Sequence, residues 1–180
     1  MTRTPKPGLK KQFWSLHMGK ETKKIAPTQE NKAGNWFGVF PAGFEKKLMS
    51  EFPECFTQTP MIHMCSGLST LGDVRVDINP NSNANLISDA TCLAFDSGTF
   101  GFCLIDPYYS DADYEKVGQK PLTSYAFTKE ADRLVRSGGY IAILHQRPPR
   151  KPKDCELVGI VAISVGPDRL MRCLQVWRKL

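Results

Sequence analysis

The stretch LIDPYYSDADY, residues 104–114, closes the apolar run FGFCLID with an acid, a proline and two tyrosines. A strand interior rejects proline and gives a lone carboxylate no partner, so Asp106, Pro107, Tyr108 and Tyr109 belong where a strand leaves the core. In an open α/β sheet that end of the strands is where ligands bind. The four residues would present a carboxylate and two aromatic rings there.

Three more short motifs precede this one, each near the C-terminal end of a strand-like segment. In His63-Met64-Cys65-Ser66-Gly67-Leu68-Ser69, small residues allow a backbone to approach a ligand closely. Asp77, which ends VRVD, is placed as an acid that accepts hydrogen bonds from ribose hydroxyls. In Ser88-Asp89-Ala90, the carboxylate of Asp89 is placed to accept from an amino group. Alone, Asp77 or Asp89 reads more readily as a turn or cap residue; four motifs along one sheet edge read as a site.

The elements that must position these residues follow from periodicity. Strand candidates are MIHMC (61–65), VRVDI (74–78), NLIS (85–88), FGFCLID (100–106), YIAILH (140–145), ELVGIVAISV (156–165) and LMRCLQVWR (170–178). Their apolar runs, with little alternation, suit a sheet covered on both faces. The last two, joined through GPDR, read as an antiparallel hairpin. FEKKLMSEF repeats Phe44, Leu48 and Phe52 at helical spacing and closes at Pro53. SYAFTKEADRLVRSGG reads as the one long helix, with Ala131, Leu134 and Val135 on its apolar face and Gly138-Gly139 as its stop. Short links after the first two strands leave little room for crossover helices. The helices are therefore pared down.

At this point the chain resembles a known family, the class I S-adenosylmethionine-dependent methyltransferases. The closest resemblance is to the type carrying an Asp-Pro-Pro-Tyr motif, which methylates exocyclic amino groups of nucleobases. The resemblance covers residues 61–178, and HMCSGLSTLGDVRVDIN, DATCLAF and LIDPYY are similar to small prokaryotic and viral members. It implies an α/β, Rossmann-like methyltransferase sheet, mostly parallel, with a C-terminal antiparallel hairpin. It implies S-adenosyl-L-methionine as cofactor, held by His63, Cys65, Ser66, Gly67, Asp77, Asp89, Ala90 and Asp106. It places Asp106, Pro107, Tyr108 and Tyr109 at the methyl-accepting amine, with a tyrosine, Tyr109 by preference, stacked on the base. Three departures stand out: His63 occupies the position of an acid, the glycine signature is reduced to Gly67 with serines, and Tyr108 replaces the second proline. His145, ending YIAILH, reads as a satisfied strand-end histidine or a substrate contact. Trp36, Phe37, Phe40 and Phe44 read as core, or as a roof over the cofactor.

Charge points to the partner. Residues 1–24 carry seven Lys or Arg and one acid, which equals the whole net charge of +6. A second basic knot, Arg147, Arg150, Lys151 and Lys153, lies in QRPPRKPKD. Either alone suits a solvated segment; together they suit a polyanion, DNA or RNA, better than a membrane. Residues 1–35 read as a basic, loop-rich arm and residues 36–180 as the methyltransferase domain. No run of 18 apolar residues and no signal-like apolar segment is present. The six cysteines (55, 65, 92, 103, 155, 173) lack metal-ligand spacing and read as reduced thiols of a cytoplasmic protein. No metal site is expected. No target-recognition domain is visible, so specificity would come from the arm, a homo-oligomer or a partner subunit.

Overall fold

The computed structural model describes residues 8–16, 40–116, 119–167 and 169–180. Its first element is strand β1 (Lys10–Ser15), followed by helices α1 (Phe44–Glu51) and α2 (Pro53–Phe56). Strands β2 (Met61–Met64), β3 (Val74–Asp77), β4 (Leu86–Ile87) and β5 (Phe100–Ile105) come next. Helices α3 (Asp111–Lys116) and α4 (Ser124–Leu134) lead into β6 (Val135–His145), β7 (Cys155–Ser164) and β8 (Arg172–Lys179).

All eight strands form one sheet in the order β1-β7-β8-β6-β5-β2-β3-β4. Only β8 runs against its neighbours, pairing antiparallel with both β6 and β7. The chain moves outward from β2 through β3 to β4, then returns to β5 on the other side of β2. The crevice between β2 and β5, where Met64 pairs with Ile105, is therefore the switch point of the sheet. This is a Rossmann-like sheet, mostly parallel, with the expected C-terminal antiparallel hairpin.

Alternation along the central strands feeds two cores. Phe102 and Leu104 of β5 join Phe44, Leu48 and Phe52 on one face. Cys103 and Ile105 join Phe127, Ala131 and Leu134 of α4 on the other. Between β2 and β3 no helix forms. Loop contacts satisfy the backbone instead: Asp73 accepts from the Met61 N–H at 2.7 Å, and Asn83 donates to the Leu68 carbonyl at 2.7 Å.

Two expectations are corrected. Residues 10–15, read as part of an irregular arm, form β1, parallel to β7 with Lys10 opposite Gly159. Trp14 is 1% exposed and meets Phe44 edge-on at 6.2 Å. Lys10 reaches the Glu51 carbonyl at 2.6 Å and Gln12 reaches the Glu51 carboxylate at 2.8 Å. Polar residues with long apolar stems thus line the inward side of this strand, which hides its alternation. The other correction concerns Gly138-Gly139, read as a helix stop. The helix ends at Leu134 and Val135 is already extended. The glycines lie within β6, where the pairing with β5 shifts register. A Cβ on Gly139 would come within 2.5 Å of the Gly101 carbonyl, so the pair marks a bulge under close backbone approach.

Candidate functional site

The loop after β2 turns sharply. Cys65 has φ +58° and Gly67 has φ +52°, both left-handed. For Gly67 this is free; for Cys65 it is strained. Asp77, at the end of β3 and 7% exposed, holds the turn from the next strand. Its Oδ2 accepts from the Gly67 N–H at 2.8 Å and its Oδ1 from the Asn79 N–H at 2.9 Å. The Gly67 carbonyl accepts from the Asn83 N–H at 2.8 Å. Ser66 Oγ is buried without a hydrogen-bond partner.

Asp89 follows β4 and accepts from both the amide and the hydroxyl of Thr91 through Oδ1. That is the turn geometry which sequence left open. Ala90 is buried beside it. The segment behind them is pinned to α4: Glu130 accepts from the Leu93 N–H at 2.9 Å, and Arg133 donates to the Leu93 and Phe95 carbonyls.

At the end of β5, the Asp106 N–H donates to the Met64 carbonyl at 3.2 Å, so the two central strands part at this residue. Burial pushes the Asp106 carboxyl up to about 6, against a hydrogen bond from Tyr109 and the charge of Arg172, with Asp77 adding to the rise. Asp77 and Asp106 end strands on either side of β2, on one edge of the sheet. Burial, then Asp77, Asp106 and Asp89 among other groups, hold the Cys65 thiol well above its usual range. Three carboxylates thus gather around the Cys65 turn.

Tyr109 donates its hydroxyl to Asp106. Its ring carries the guanidinium of Arg172 at 5.0 Å and meets His145 edge-on at 5.5 Å. Tyr108, with its hydroxyl raised by burial to about 12, meets Tyr114 edge-on at 5.3 Å. Pro107 is buried between these tyrosines and Asp106 in sequence. His145 is nearly buried and its Nδ1 accepts from the Arg147 N–H at 3.0 Å. It is both a satisfied turn residue and a neighbour of Tyr109.

His63 does not line the cleft with a charge. It is fully buried, contacts the Leu71 carbonyl through Nδ1 at 3.1 Å, and stacks on Phe40 at 5.3 Å. Burial lowers its pKa to about 4. Phe40 also stacks on Phe44 at 4.5 Å, which makes both core residues; Trp36 and Phe37 lie outside the described residues.

Arg172 is the residue that sequence reasoning missed. It sits in an ordinary-looking strand segment, and only the pairing of His145 with Cys173 brings it beside Tyr109. The signal was topological: a last strand next to β6 must start at the edge where β5 ends. Around Arg172 lies an open depression of about 280 Å³, lined also by Gln146, Val165, Arg169 and Leu170. Arg150 lies over the Tyr125 ring in the first turn of α4, at 5.8 Å. The acidic cleft thus has a basic rim.

Among the described residues, no helix is long and apolar enough to cross a membrane. No family model matches the sequence, and comparison with curated proteins finds no match. Solved structures do match. TrmN from Thermus thermophilus is similar with a TM-score of 0.54 at 16% identity, over 73% of this chain and 48% of that one. The N-methyltransferase NodS from Bradyrhizobium japonicum WM9 gives 0.49 at 9% identity, over 77% and 97% of the two chains. A SAM-dependent methyltransferase from Methanosarcina mazei gives 0.46 at 12%, over 67% and 92%. The chain spans about half the length of TrmN. The similarity to TrmN, at this level of identity, is one of fold: a Rossmann-like methyltransferase sheet.

Proposed function

We propose that the chain is an S-adenosylmethionine-dependent methyltransferase acting on an exocyclic amino group of a nucleobase in DNA or RNA. The observation that carries this reading is the acidic cleft within a basic rim. Asp77, Asp89 and Asp106 stand at the ends of β3, β4 and β5 on one edge of the sheet, while Arg147, Arg150, Arg169 and Arg172 border the same edge. A negative well suits a cofactor with a cationic sulfonium and amino group, and a positive rim suits phosphates.

The residues present fit that cofactor. Gly67 and its neighbours would hold the methionine part, where Ser66 Oγ is buried without a partner. Asp77 would hold the ribose through lone pairs beyond its two backbone contacts. Asp89 leaves its second oxygen for the adenine amino group, beside Ala90. S-adenosylmethionine supplies a methyl group on a positively charged sulfur.

The amine is a poor nucleophile because its lone pair is delocalised into the base. The Asp106 carboxylate and Pro107 carbonyl accept its two N–H groups and turn the lone pair out of the ring plane. Orientation of this kind contributes much of the rate, and no covalent intermediate is required. With its pKa near 6, Asp106 can take the proton that the nitrogen releases after transfer. The base would stack on Tyr109, worth about 1–3 kcal/mol, comparable with the few kcal/mol that flipping costs.

The test is transfer of labelled methyl groups to DNA, RNA and protein pools side by side, with calorimetry of cofactor binding. Asp106→Asn should keep most cofactor affinity and lose most transfer, because its contact matters most in the transition state. Asp77→Ala should lose tenfold or more in cofactor affinity, about 1.5–3 kcal/mol. Full transfer by a folded Asp106→Asn protein would remove this mechanism. A second reading, a non-catalytic cofactor- or nucleic-acid-binding subunit, draws on Asp77, both of whose oxygens already serve the turn. Binding without transfer to any pool would favour it.

A further inference from the structure

The hairpin between β7 and β8 stands on the site edge of the sheet, because β7 ends there and β8 starts there. Leu170 is 71% exposed and Met171 48%, large apolar side chains side by side. Arg169 precedes them and Arg172 follows. Arg169, Leu170 and Arg172 line the depression next to Tyr109, and Arg172 itself lies over the Tyr109 ring. Two apolar side chains held in water between two cations, beside the cleft, are out of place as core. They suit a surface that is apolar inside and anionic outside. A stacked, phosphate-edged duplex is such a surface.

We infer that Leu170 and Met171 form a wedge that enters a base step of duplex DNA and fills the gap left by the base delivered to Asp106, while Arg169 holds a flanking phosphate. This rests on the nucleobase reading above. A base in a stack cannot reach a recessed carboxylate, so an enzyme acting on it must take it out. Leu and Met are among the residues that proteins insert between base steps, and they do so from the minor groove of DNA. A single strand needs no wedge. That is why the occupant is a duplex, and the exposed Arg147 and Arg150 of the preceding link, on the same edge of the sheet, supply further phosphate contacts near it.

The test needs no knowledge of the target sequence. Insertion between base pairs unwinds the duplex, so protein bound to closed circular plasmid during relaxation by a topoisomerase leaves a shift in linking number. Wild type should produce that shift. The double variant Leu170→Ala/Met171→Ala, altered only at exposed positions, should bind the plasmid within about threefold and produce no shift, since phosphate contacts carry most affinity. Its transfer to native DNA should fall on the order of tenfold relative to transfer to the same DNA heat-denatured. The conservative Leu170→Met/Met171→Leu protein should restore both. An equal shift by the alanine variant, or none by bound wild type, overturns the wedge. So does a wild-type dimer that the alanine variant loses while no shift is seen, which would make the hairpin a contact between copies. Unwinding by wild type without methylation of any nucleic acid would keep the wedge and overturn the proposed activity. Equal methylation of native DNA by wild type and variant would do the reverse.

Discussion

The hydroxyl of Tyr109 donates to the carboxylate of Asp106, three residues earlier, and so opposes the burial that lifts that carboxyl to about 6. Arg172 pulls the same way from above the Tyr109 ring. The aromatic residue of the motif is thus an electrostatic partner of the acid as well as a surface for stacking. The ionised fraction of Asp106 at a given pH is set by residues that never touch the methyl group.

Transfer should therefore rise with pH through about 6 and level off, because only the ionised carboxylate accepts both the amine contact and its proton. Tyr109→Phe removes a bond that favours the charged form, so the inflection should move to higher pH. Arg172→Ala should move it the same way. The pH dependence of kcat/KM for the three proteins checks this; an inflection unmoved in both variants would detach Asp106 from the profile.

Stability should show two opposed slopes in the acid range. Asp106 has a raised pKa in the folded protein, so the fold binds the extra proton and stability falls as pH rises from about 4 to about 6. His63 has a folded pKa of about 4 against an ordinary 6.5, so its contribution is present above 6.5 and is lost as pH falls toward 4. In wild type the two partly cancel. Thermal melts of Asp106→Asn should show stability rising more steeply with pH, and His63→Gln should show it falling. Asp106→Asn should also melt higher than wild type at pH 8, where it no longer buries a charge.

Cys65 carries strain that glycine would not. With φ at +58°, Cys65→Ala keeps the Cβ and Cys65→Gly removes it. The glycine protein should be the more stable of the two by about 1–2 kcal/mol in denaturant unfolding. The reverse order would mean that the turn relaxes out of the left-handed region when the thiol is removed.

The N-terminal segment must be tested by charge, not by truncation. Deleting residues 1–24 removes β1 and uncovers the site of Trp14, and Trp14→Ala alone should cost about 3–5 kcal/mol. Replacing Arg3, Lys6, Lys20, Lys23 and Lys24 with serine leaves the strand in place. If these side chains meet phosphates, the salt dependence of DNA binding should flatten by roughly 0.9 log unit per contact.

Much of this arrangement was legible because strands end abruptly. Apolar runs stop at Cys65, Asp77, Ser88 and Asp106, and the pairings of β2, β3, β4 and β5 place those stops on one edge. What stayed hidden depended on partners distant in sequence. Lys10, Gln12 and Trp14 make a strand only because β7 and α1 receive them. Gly138 and Gly139 look like a helix end until the closeness of Gly101 is known. Arg172 has no motif at all; β8 carries it to Tyr109.

The pairing of Lys10 with Gly159 also sets an order of events during synthesis. Among the described residues β1 is the earliest strand and lies at an edge of the sheet, and its partner β7 emerges some 150 residues later in the chain. Until then Trp14 has no sheet to cover, and the side of β7 that will receive β1 does not yet exist. Closing so long a loop costs entropy that local contacts cannot offset in advance. A chain stalled before β7 would carry an unpaired edge and an exposed tryptophan near its N-terminus, features that invite association with other chains. Completion of the last hairpin would then be the step that buries both.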